Sequence, residues 1–98
     1  MIATLATQEH VDRIAQELAP DVVRIRFQVG QDWSEDPAIY FRVILSDEAS
    51  RLDHLSVTTN KVSDKLSEKL GLAESDHISY IRFRSQSEQA KLQDPAWN

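Results

Sequence analysis

The chain predicts an α+β fold, a two-layer sandwich of element order α-β-β-α-β-α in which a three-stranded sheet carries helices on one face. Three observations lead there. Val11, Ile14, Ala15 and Leu18 recur at the i, i+3, i+4, i+7 spacing of a helix with one buried stripe. Val23, Ile25, Phe27 and Val29 alternate with Arg24, Arg26 and Gln28, and Ile39, Phe41, Val43 and Leu45 alternate with Tyr40, Arg42 and Ile44, the period of half-buried strands. Leu52, Leu55, Thr59, Val62, Leu66 and Leu70 then return to helical spacing, and a third strand-like segment follows.

The first helix is expected over 6–19, because Pro20 stops it. A strand over 22–29 follows. The stretch 30–37, GQDWSEDP, combines glycine, serine, proline and acids and reads as a loop. The second strand, 38–45, is rich in β-branched and aromatic residues. Ser46 and Asp47 offer N-cap oxygens for the long second helix, and Gly71 offers a left-handed residue just past its end. Ser56–Asn60, at the centre of that helix, contains only weak helix formers, so a bend or break is expected there. A third strand covers 77–84, with Ser79, Ile81 and Phe83 on one side and Ile78, Tyr80, Arg82 and Arg84 on the other. Ser85-Gln86-Ser87-Glu88 matches a capping box and starts a short helix ending near Asp94-Pro95.

At 98 residues the chain accommodates one domain, 1–98, around one core. A hydrophobic fraction of 41% with only two glycines and three prolines leaves little room for a linker or for disorder. No apolar run approaches the roughly 20 residues that span a bilayer, and MIATLATQEH lacks a basic region followed by an apolar stretch. The absence of cysteine fits a reducing compartment, so a cytoplasmic protein is expected.

Seven arginines are present, and five of them, Arg24, Arg26, Arg42, Arg82 and Arg84, fall in the three strand segments, opposite the apolar residues. The four lysines all lie in helical segments instead. Burying both apolar faces of the first hairpin requires Phe27 to face Phe41 and Ile25 to face Val43, which sets Arg26 opposite Arg42. Like charges directly across a strand pair destabilise it, so anions are expected nearby, from this chain or from a partner. Whether the third strand lies beside the first or the second is open; either places Arg82 and Arg84 on the same face.

Three uses of that face are consistent with the residues. Arginine stems covering apolar sheet, with heads paired to Glu88 or to Asp32, Glu35 and Asp36, would make it an ordinary solvated surface. Arginine and tyrosine are also enriched in protein interfaces, and an open sheet invites association. Alternatively, Tyr40 and Tyr80 would stack on bases while arginines neutralise phosphates of RNA or single-stranded nucleic acid. The net charge of −5, and the lack of an aromatic-glycine motif, rank that use lower. Trp33, flanked by acids in the hairpin loop, is either folded over the sheet edge or held out for a partner. Trp97 is expected to pack down and hold the last helix.

Chemistry is sparse. His10, His54 and His77 lie on three elements without ligand spacing, and the acids of the 32–36 loop lack the pattern and central glycine of a calcium loop, so no metal is expected. Gly30 and Gly71 cannot build a phosphate-cradling loop, and no serine sits in a nucleophile motif, so neither cofactor nor enzymatic activity is expected. The expectation is a small non-enzymatic interaction module or accessory subunit, self-associating or bound to another protein. Its partner-binding residues are Arg24, Arg26, Trp33, Tyr40, Arg42, Tyr80, Arg82 and Arg84, and nucleic-acid binding by the same face is the alternative.

Overall fold

The structure, a computed structural model, describes residues 7–72 and 75–98. Thr7 accepts a hydrogen bond from the His10 N–H (3.1 Å) and so caps helix α1, Gln8–Glu17. The expected start at residue 6 lies outside the described residues. Strand β1, Val22–Gln31, pairs antiparallel with β2, Pro37–Leu45. The register is the one the apolar pattern requires, with Phe27 beside Phe41, Ile25 beside Val43 and Arg26 beside Arg42. It slips between Val22 and Arg24, where Val23 is the extra residue of a bulge.

Helix α2, Leu52–Leu70, carries the chain over to β3, Ile78–Ser85, which pairs parallel with β2. The sheet order is β1-β2-β3, and a parallel pair needs a crossover of this length. Gly71 closes α2 in the left-handed region (φ 61°), its N–H donating to the Ser67 carbonyl. Val11 and Ile14 of α1, Leu18 just past its end, and Val62, Leu66 and Leu70 of α2 bury themselves against Ile25, Ile39, Phe41, Val43 and Leu45. The two longer helices thus cover one face of the sheet, as expected.

Two expectations for α2 are corrected. The helix runs through Ser56–Asn60 without a break, because Thr58 and Val62 are buried there and packing outweighs weak propensity. It also starts later than the candidate caps suggest. Ser46 Oγ instead accepts from the Ala49 N–H (3.1 Å) in a separate turn, and Asp47 turns to another element. Leu52 consequently falls in the first turn of α2 and is 92% exposed.

Helix α3, Gln86–Leu92, begins with the expected capping box, Ser85 accepting from the Glu88 N–H and Glu88 accepting from the Ser85 N–H. Gln93 adopts a left-handed conformation, and Asp94 caps a 3₁₀ turn over Pro95–Trp97. This C-terminal segment folds across the face of the sheet that α1 and α2 leave bare. Trp97 is 5% exposed and Gln89 is buried beside it, while Ile44, which points away from the helix layer, is 1% exposed. Alternation with Tyr40 and Arg42 puts Ile44 on the face expected to be open, and the C-terminal segment covers it instead.

Candidate interaction site on the sheet face

Pairing across the sheet sets the face opposite α1 and α2 in rows. Gln28, Tyr40 and Tyr80 form one row, Arg26, Arg42 and Arg82 the next, and Arg24, Ile44 and Arg84 the third. The third row lies beneath the C-terminal segment. Arg84 stacks on the Trp97 ring, its guanidinium carbon 4.2 Å from the ring centroid, and donates to Gln89 Oε1 (2.8 Å) with Asp94 at 3.7 Å. Gln89 Nε2 in turn donates to the Asp94 carbonyl (2.7 Å), and Arg24 Nε donates to the Trp97 carbonyl (3.1 Å). Arg26 donates to the Asn98 carbonyl (2.7 Å) and lies 3.5 Å from Asp12 of α1. The anion beside the Arg26–Arg42 pair is therefore Asp12, on the Arg26 side, with the neutral Asn98 carbonyl as a further acceptor, not Glu88 or the hairpin loop.

The other half of the face is bare. Gln28, Gly30, Gln31, Tyr40, Arg42, Tyr80 and Arg82 line a groove of about 360 Å³ there. Tyr40 and Tyr80 stack with ring centroids 5.3 Å apart and planes tilted by 16°, and both hydroxyls are tied down. Tyr40 donates to the Gln31 carbonyl (2.8 Å) and Tyr80 to Asp32 Oδ2 (3.0 Å). Among the described residues, Arg42 donates only to the side chain of Gln28 (3.3 Å). Among the described residues, no ion pair involves Arg42 or Arg82.

Asp32 organises the hairpin loop. Its Oδ1 accepts from the Ser34 N–H (2.9 Å), the Ser34 hydroxyl (2.8 Å) and the Asp36 N–H (3.1 Å). The Ser34 bond above all holds its carboxyl below the ordinary aspartate range, and the bond to Asp32 raises the Tyr80 phenol. With the loop fixed from beneath, Trp33 stands out at its tip, 92% exposed. Of the eight residues read from the sequence, the structure groups Tyr40, Arg42, Tyr80 and Arg82 in one groove with Trp33 at its end, and places Arg24, Arg26 and Arg84 under or beside the C-terminal segment. Gln28, Gln31 and Asp32 were missed. Gln28 could have been found from alternation, whereas the Asp32–Tyr80 bond links residues that only the β2–β3 pairing brings together.

Asp47 joins the covered half to the end of β2. It accepts from the Ser87 N–H (2.9 Å) and hydroxyl in the first turn of α3, and the hydroxyl bond chiefly holds its carboxyl below the ordinary aspartate range. A depressed folded value means that this contribution is complete above the ordinary aspartate range and is lost as pH falls below it. Acidification should therefore loosen α3 before the main core unfolds, seen as early loss of the α3 amide resonances, and Asp47→Asn should remove that step. Simultaneous loss of α3 and core signals would contradict it.

A second polar cluster, Glu48, Arg51, Asp53 and His54, surrounds the start of α2. Asp53 comes within 3.5 Å of His54 Nε2, closer than their adjacency in a helix suggested, yet all four side chains are at least half exposed. Such pairs contribute about 1 kcal/mol at most. Among the described residues, no group of three or more histidine, aspartate or glutamate side chains is arranged to hold a metal ion, and no helix is long and apolar enough to cross a membrane. Comparison with known protein families, with curated proteins and with solved structures finds no match.

Proposed function

We propose that the protein is a small, non-enzymatic interaction module of the cytoplasm that binds a protein partner through the bare half of its sheet face. One observation carries this reading. The chain covers the third row of that face with its own Trp97, Gln89 and Asn98, yet leaves Arg42, Arg82 and the stacked tyrosines uncovered beside a fully exposed tryptophan. Arginine, tyrosine and tryptophan together are the residues that dominate interface energetics. The groove lining carries no histidine or serine that would act as base or nucleophile. Trp33, Tyr40, Arg42, Tyr80 and Arg82 are the contact residues, whereas Arg24, Arg26 and Arg84 support the C-terminal segment.

Nucleic-acid binding is the second reading, favoured by the tyrosine pair beside two arginines that take part in no ion pair among the described residues. It ranks lower because the tyrosines stack on each other and because Asp32 sets a carboxylate at the groove. Affinity capture from the natural source distinguishes the readings. A protein partner should be recovered by the wild-type chain and by Lys69→Ala, and lost with Trp33→Ala or with Arg42→Ala/Arg82→Ala. Equal recovery by all variants would contradict the interface reading. A salt-sensitive complex with a single-stranded oligonucleotide, lost in the double variant, would replace it with the second.

A further inference from the structure

Resting on the interface reading, we infer that the partner is a second copy of this chain, docked face to face about a two-fold axis that crosses the strands of the bare half. The rows continue past the groove. Extending the register of the three strands, the row beyond Gln28, Tyr40 and Tyr80 is Gly30, Ala38 and Ile78, and the positions after it are Asp32, Asp36 and Asp76. By that extension the three aspartates, two in the hairpin loop, where Asp36 Oδ2 accepts from the Ser34 hydroxyl (3.0 Å), and one in the bend before β3, fall at one end of the bare half and the Arg26, Arg42, Arg82 row at the other, with the tyrosines between.

Asp36 and Arg42 are about 20 Å apart along β2, too far to pair within one chain. Asp36 and Asp76 are exposed, and among the described residues neither takes part in an ion pair. An axis passing between the Ala38 and Tyr40 rows reverses the strand direction of the second copy. It lays Arg42 over the Asp36 position of the other copy and Arg82 over its Asp76, twice each by symmetry. An axis along β2 would instead set Arg42 over its own copy and Arg82 over Arg26, with like charges facing.

Shape agrees with charge. The C-terminal segment raises one half of the face and the other half is recessed, so reversing one copy seats each raised half beyond the other copy's hairpin loop. Trp33, at the tip of that loop, then abuts the raised segment around Trp97 and Asn98. Three strands about 4.8 Å apart over such a span make a contact smaller than a standard interface, so the dimer should depend on concentration and on salt.

Sedimentation velocity across a concentration series tests this with paired charge reversals. Wild type should shift toward twice the chain mass at high micromolar concentration and return to monomer in high salt. Arg42→Asp/Arg82→Asp and Asp36→Arg/Asp76→Arg should each remain monomeric alone, with native circular dichroism, while an equimolar mixture of the two should regain a dimer. A wild type that stays monomeric, or variants that are monomeric alone and fail to restore association when mixed, would overturn the second-copy inference. In that case, loss of a foreign protein from the Arg42→Ala/Arg82→Ala capture would still uphold the interface reading, and only its retention would remove both. Self-association that persists unchanged in both reversals would place the dimer contact elsewhere.

Discussion

Leu66→Ala is expected to destabilise the protein by about 2–5 kcal/mol. Leu66 is 0% exposed, and it belongs to the α2 stripe packed on the central strands, so truncation leaves a cavity that neighbours fill only in part. Small domains are stable by about 5–15 kcal/mol, and a loss of this size lowers the urea midpoint markedly while leaving the slope unchanged. A change under about 0.5 kcal/mol would mean that α2 does not bury this side chain, and the two-layer arrangement would fall with it.

Trp97→Ala should cost about 3 kcal/mol by the same cavity and contact arguments, although Trp97 lies outside the main core cluster. It is 5% exposed, supports the Arg84 guanidinium, and belongs to the C-terminal segment that folds over the face opposite α1 and α2. Its loss therefore has a local consequence that Leu66→Ala lacks. The C-terminal segment should detach, freeing Arg24 and Arg84, while the α1–α2 core remains folded in weak denaturant. Unfolding that stays as cooperative as in wild type, with a cost below about 0.5 kcal/mol, would show that the segment is not held by this residue.

Much of this architecture is legible in the amino-acid sequence. The hairpin register followed from the need to put Ile25, Phe27, Phe41 and Val43 on one side, since a slip of one residue exposes an entire apolar set. The same alternation gathered the five arginines. What local pattern could not supply was long-range. The parallel placement of β3 beside β2 leaves no short-range trace, so the Arg42–Arg82 and Tyr40–Tyr80 neighbours were invisible. Capping motifs announced α3 and a breaker announced its end, but nothing local says which surface Trp97 lands on, and so Ile44 was misread as open. Asp47 illustrates the same limit: its short polar side chain fits a helix cap in sequence, yet in the fold it serves Ser87 of a different helix.

Division of the arginine face is the central structural claim, and residue-resolved reaction with an arginine-specific dicarbonyl reagent, read by mass spectrometry on dilute protein, tests it most directly. Of the five sheet arginines, Arg82, exposed and without an ion pair among the described residues, should react fastest, with Arg42 next. Arg84, whose side chain is 18% exposed beneath Trp97, should react among the slowest with Arg24, and Trp97→Ala should bring both toward the rate of Arg82. Equal rates at Arg82 and Arg84 in the wild-type protein would contradict the division of the face and the binding surface built on it.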